Sequence, residues 1–169
     1  PEDFEGLKMR GLTPPFDASL AALGATPTAM PGSEVYQALA TGIIDGAITD
    51  VAAAVSRKYY EVQDAFTVVP VLSAYLHGYL NPDFYNGLSD KSKDALREAG
   101  LKASGWAIEA STEAGAAGPA QLEEKGVTVH IATPEEIAAL EAVMRPAFDK
   151  SFGEGNADSQ KLLDLIGKM

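Results

Sequence analysis

One arginine and one pair of carboxylates stand where they could do chemistry in this 169-residue chain. Arg10 closes a short alternating stretch, Gly6 to Arg10. The loop Gly11 to Pro15 that follows cannot extend a strand. In open α/β sheets, ligands sit beyond the carboxyl ends of the strands. A guanidinium there can grip a carboxylate through two parallel N–H···O bonds, each worth about 1.5–3 kcal/mol. The alternative is a surface arginine paired with Glu2, Asp3 or Asp17. Asp45 and Asp50 lie five residues apart, where a strand passes into a helix. One of them suits a helix cap. Either could instead serve as the general base of a small acidic α/β enzyme, which is the competing function.

Other chemistries find little support. The chain has no cysteine, which removes disulfides, thiolate metal sites and cysteine catalysis. Its two histidines, His77 and His130, are far apart, and no nucleophile elbow, Walker loop or two-histidine metal motif occurs. His77 falls in an apolar run and reads as a core or edge histidine; His130 ends a surface strand. Residues 153–157 (GEGNA) lack the lysine and preceding strand of a phosphate cradle and read as a loop. With 24 acids against 13 bases the net charge is −11, which repels a phosphate backbone, so no nucleic-acid partner is expected. No apolar run reaches the ~20 residues of a bilayer span, so no direct membrane insertion is expected. No cofactor or metal site is called for. The chain begins at Pro1 rather than Met, which implies processing or a cut upstream.

The elements that must position Arg10 alternate in kind. Strands are expected at Gly6–Arg10, Ala25–Met30, Ile43–Ile48 and Phe66–Val71, with a further one in Leu72–Leu80. Helices are expected at Phe16–Leu23, at Val35–Ala40 capped by Ser33, and at Val51 to about Arg57 capped by Asp50. This order argues for an α/β layer fold with a parallel or mixed sheet. Asn81-Pro82 opens a short helix. Ser89 and Asp90 then cap a long one carrying Leu96, Leu101, Trp106 and Ile108, which Gly118-Pro119 should kink or break. A strand at Val127–Ile131 precedes a helix opened by Thr133-Pro134-Glu135-Glu136, with Ile137, Leu140, Val143, Met144 and Phe148 on its apolar side. Leu162, Leu163, Leu165 and Ile166 lie in a final helix.

Several stretches in series resemble one family. Phe4–Arg10 (FEGLKMR), Leu23–Pro31 (LGATPTAMP), Ser33–Gly42 (SEVYQALATG), Ile44–Gly46 (IDG), Lys58–Gln63 (KYYEVQ) and Asn81–Tyr85 (NPDFY) occur in order and at near-constant spacing. They are similar to the substrate-binding proteins of tripartite ATP-independent periplasmic (TRAP) transporters. The resemblance implies an α/β lobe of periplasmic-binding-protein type, with a mixed, mostly parallel sheet flanked by helices and a long hinge-spanning helix. It implies a periplasmic receptor, not an enzyme, that closes two lobes on a small organic acid and delivers it to a TRAP membrane permease. By this mapping, 1–74 and 115–169 form the second lobe and 75–114 the hinge strand and long helix of the first, the rest of which is absent.

The resemblance also assigns roles. Arg10 falls on the family's carboxylate-binding arginine. Thr49 stands where many members have a ligand-contacting Asn, and Asp50 where Pro is common. Asp50 is read as a helix cap, with ligand contact as the lesser alternative. Gly32 replaces a Phe that flanks the ligand, leaving room for a bulkier acid or a wider pocket. Thr13 and Phe16, after Arg10, are candidates to line the cleft. So is Tyr75, for which strand packing is the alternative.

Overall fold

A computed structural model of the chain describes residues 1–71 and 76–167. A 3-10 turn at Glu2–Phe4 leads into β1 (Lys8–Arg10), α1 (Pro14–Ala22), β2 (Thr26–Thr28), α2 (Val35–Ala40), β3 (Gly46–Ala47) and α3 (Val51–Ser56). A second 3-10 turn, Tyr59–Glu61, leads to β4 (Ala65–Val68), α4 (Pro82–Asn86), α5 (Asp90–Glu124), β5 (Thr128–Ile131), α6 (Pro134–Gly153) and α7 (Ala157–Ile166). The strands form two small sheets, ordered β2-β1-β3 and β4-β5, and every pairing is parallel. The α/β layer fold expected from the alternation is what forms.

Two apolar clusters hold these layers. Met9, Phe16, Leu20 and Ala25 gather under α1, with Met144 and Phe148 of α6 packed against them. Ser19, buried at 1% exposure, donates to the Met144 carbonyl at 3.1 Å and so pins α6 to α1 without an unsatisfied hydroxyl. The second cluster joins Val35, Ala38, Leu39, Ile44, Ala54 and Tyr59 to Leu122 near the end of α5.

Most helix starts follow their local chemistry. Asp50 accepts from the Ala53 N–H at 2.7 Å, Asn81 from Asp83 and Phe84, and Ser89 from Ser92. Thr133 and Glu136 close a full capping box, with Pro134 at the first turn. Ser33 does not take its expected role. The Glu34 N–H is taken by the Pro31 carbonyl in a turn over 32–34, so α2 starts at Val35, with Glu34 at its cap and no side-chain bond there.

Three further expectations are corrected. The Ile43–Ile48 strand contracts to Gly46–Ala47, although Asp45 and Ile48 still donate their N–H groups to Lys8 and Arg10 of β1. Within Leu72–Leu80, residues 72–75 lie outside the described residues. Leu76 to Leu80 form no strand, and His77 is exposed rather than a core or edge residue. Finally, Gly118-Pro119 does not end the long helix. α5 runs 35 residues, about 52 Å at 1.5 Å per residue. Packing overrides the local signal: Gly118 is buried against Val51 of α3, where a Cβ would collide, and Leu122 is 1% exposed. The carbonyl that Pro119 leaves unbonded belongs to Gly115, an exposed position open to water.

Candidate ligand-binding site

The carboxyl ends of β1, β2 and β3 lie side by side, with Arg10 opposite Thr28 on one flank and Ala47 on the other. The strand path thus delivers the Arg10 side chain between two loops, 29–33 after β2 and 48–50 after β3. Both loops hold it by main-chain oxygens. Nε donates to the Met30 carbonyl at 3.4 Å and Nη1 to the Ile48 carbonyl at 2.8 Å. The residue is half-buried. Among the described residues no carboxylate lies within 4.0 Å of it, and Nη2 has no acceptor.

The acids that offered a bland explanation are engaged elsewhere or stand apart. Asp17 accepts from the Leu12 N–H at 3.2 Å, and among the described residues neither Glu2 nor Asp3 pairs with Arg10. Carbonyl oxygens orient a guanidinium without neutralising it. Arg10 therefore keeps its full charge and a fixed pose, a fork suited to an incoming anion.

The other expected residues distribute unevenly. Thr49 is half-buried and follows Ile48, one of the residues that hold Arg10. Asp50 is exposed, with one oxygen given to the α3 cap. Thr13 is the exposed N-cap residue of α1, and its hydroxyl makes no cap bond. Phe16, expected on the cleft, is instead 3% exposed in the core, because α1 turns that face onto Met9 and Leu20. Tyr75 lies outside the described residues. The space vacated at Gly32 is not empty. A Cβ built there would meet the Arg57 guanidinium, with Cζ at 2.9 Å and Nη2 at 3.1 Å.

Arg57 was not singled out by its sequence context. Its placement follows from the chain reversal after α3. Arg57 is the C-cap, and Lys58 adopts a left-handed conformation at φ 58°. The turn that results buries Tyr59, whose hydroxyl donates to the Gly32 carbonyl at 3.2 Å. A basic residue flanking an aromatic pair was the only available signal.

The carboxylates of the rival reading do not form a catalytic arrangement. Asp45 accepts from the Lys8 N–H of β1 at 2.8 Å and Asp50 from the Ala53 N–H. Each serves backbone structure, and both are exposed. Elsewhere, the Glu136 carboxyl is held below its ordinary value by the Thr133 N–H, with help from His130 at 2.8 Å. This pair caps α6 in solvent and is not part of the cleft.

Comparisons with known proteins bear on the family and the fold. Residues 1–154 match the family "Bacterial extracellular solute-binding protein, family 7". The C4-dicarboxylate-binding periplasmic protein of Rhodobacter capsulatus is 35% identical over 158 residues, covering 89% of this chain and 46% of the relative. A TRAP periplasmic solute-binding protein of Rhodoferax ferrireducens, solved with malonate, superposes with TM-score 0.86 at 26% identity, over 99% of this chain and 54% of that one. The ectoine-binding protein of the Halomonas elongata TRAP transporter superposes with TM-score 0.82 at 31% identity, over 97% and 55%. The chain spans about half the length of these proteins. It belongs to the bacterial extracellular solute-binding proteins of family 7, the family of these periplasmic solute-binding proteins.

Proposed function

We propose that this chain is the carboxylate-anchoring part of a two-lobe receptor that closes on a small organic acid and passes it to a TRAP membrane permease. One observation carries the reading: a half-buried guanidinium, oriented by the Met30 and Ile48 carbonyls, with no acid of the chain's described residues beside it. A ligand carboxylate completes the bonds that Nη1 and Nη2 leave open. The Thr49 hydroxyl supplies a neutral hydrogen bond from the next loop, and Thr13, Asp50 and Gly32 border the same opening.

In this reading 1–74 and 115–169 form one lobe, while 75–114 contribute to the hinge and to a lobe outside the chain. The exposure of α5 supports that division: Leu101, Trp106 and Ile108 are 68–72% exposed. Open and closed forms of such receptors differ by a few kcal/mol, and contacts made only on closure bias the balance. With half the cleft missing, the isolated chain binds organic acids weakly, and micromolar affinity by calorimetry contradicts the reading. A thermal-shift screen on the full-length protein tests it further: at least one organic acid raises the melting temperature and its neutral amide does not. Equal shifts by acid and amide, or none across dicarboxylates, hydroxy acids, sugar acids, keto acids and aromatic acids, contradict it.

A further inference from the structure

We propose that Arg57 is a second anion-binding group beside Arg10, and that the solute therefore carries two anionic groups. This deepens the receptor reading above and rests on it. The first observation is the exchange at position 32. Glycine there leaves a space, and the Arg57 guanidinium fills it. The second is proximity. Gly32 lies two residues beyond Met30, whose carbonyl holds Arg10, so both guanidinium groups rest against one short loop at the carboxyl end of β2. The third is that Arg57 is not spent. Its one side-chain hydrogen bond is a long one, 3.5 Å to the Tyr59 hydroxyl, and no carboxylate of the described residues lies within 4.0 Å.

The placement is held by structure. Tyr59 is 2% exposed and bonded to the Gly32 carbonyl, which fixes the turn after α3 to the loop that carries the ligand side. In a chain with 24 acids against 13 bases, two arginines against one loop with no acid of the described residues in contact make a locally basic spot. Closure over a single carboxylate would desolvate the second cation with nothing to balance it. A second anionic group removes that cost and gains further charge-assisted bonds. Glycine at position 32 is thus a specificity device: a side chain there would force the guanidinium to move from this place.

The test is calorimetry on the full-length protein with malonate, succinate, glutarate and phthalate, each beside its half-amide of equal length. Wild type binds at least one diacid about tenfold or more tighter than its half-amide, as loss of one charge-assisted bond predicts. Arg57→Ala and Gly32→Phe erase that preference, so that the diacid and its half-amide bind within about twofold of each other. Arg57→Gln, which keeps a donor to Tyr59, behaves the same and serves if either variant fails to fold. The inference is overturned if wild type binds no diacid of the panel, if it shows no preference, or if the Arg57 variants keep it or weaken diacid and half-amide equally. Arg10→Ala separates the two readings. If it abolishes binding while Arg57→Ala keeps the diacid preference, only this inference falls. If Arg10→Ala changes nothing, the receptor reading falls with it.

Discussion

The two ends of α5 obey different rules. Toward its C-terminus, Gly118 touches Val51 and Leu122 disappears into the core shared with α2, β3 and α3. Toward its N-terminus, Lys93 reaches the Asn86 carbonyl and the Tyr85 ring of the short α4, while Leu101, Trp106 and Ile108 lie open. One sequence segment thus holds a helix that is stabilised by packing at one end and by its own backbone at the other. In proteins most helical stability comes from packing of an apolar face. Large apolar side chains on the open half are therefore unexplained by this chain alone, as the proposed lobe division expects of 75–114.

That contrast can be broken by mutation. Leu122→Ala leaves a cavity in the shared core and costs about 2–5 kcal/mol in urea unfolding, whereas Trp106→Ala in the isolated chain stays within about 0.5 kcal/mol. Comparable losses at both positions would erase the distinction. Gly118→Val forces a branched side chain into Val51 and costs about 1–3 kcal/mol, with partial recovery when combined with Val51→Ala. The helix caps sharpen the same point. Asp50→Ala, at the start of packed α3, lowers global stability by about 0.5–2 kcal/mol. Ser89→Ala, at the open start of α5, speeds hydrogen exchange in the first turn and leaves the global transition in place.

The smallest effect is pH-dependent. The Glu136 carboxyl is lowered chiefly by the Thr133 N–H that it accepts and also by His130. A depressed acid stabilises the fold above its unfolded value and loses that contribution as pH falls through its folded value. The melting-temperature gap between wild type and Glu136→Gln is therefore present at neutral pH and closes in acid. A gap that widens in acid contradicts the assignment.

Much of this was legible because it is local. Asp50, Asn81, Ser89 and Thr133 cap helices through their own side chains within a few residues, and the βα alternation follows apolar spacing. What failed was decided across the fold. Pro119 reads as a breaker until α3 is seen packed beneath it, and Phe16 reads as a loop neighbour of Arg10 until α1 turns it inward. The site divides in the same way. The position of Arg10 at a strand end is visible in sequence, but its release from Glu2, Asp3 and Asp17 depends on where those acids fold. Arg57 and Gly32 are 25 residues apart, and no local pattern joins them.

The central claim is that the Arg10 guanidinium is reserved for a carboxylate from outside the chain. Calorimetry of an organic acid bound by the full-length protein, compared between wild type and Arg10→Ala, tests it most directly. Loss of charge-assisted bonds worth about 1.5–3 kcal/mol each predicts a fall in affinity of tenfold or more, with the melting temperature of the unliganded protein little changed. Unaltered affinity in a folded Arg10→Ala protein would contradict the account.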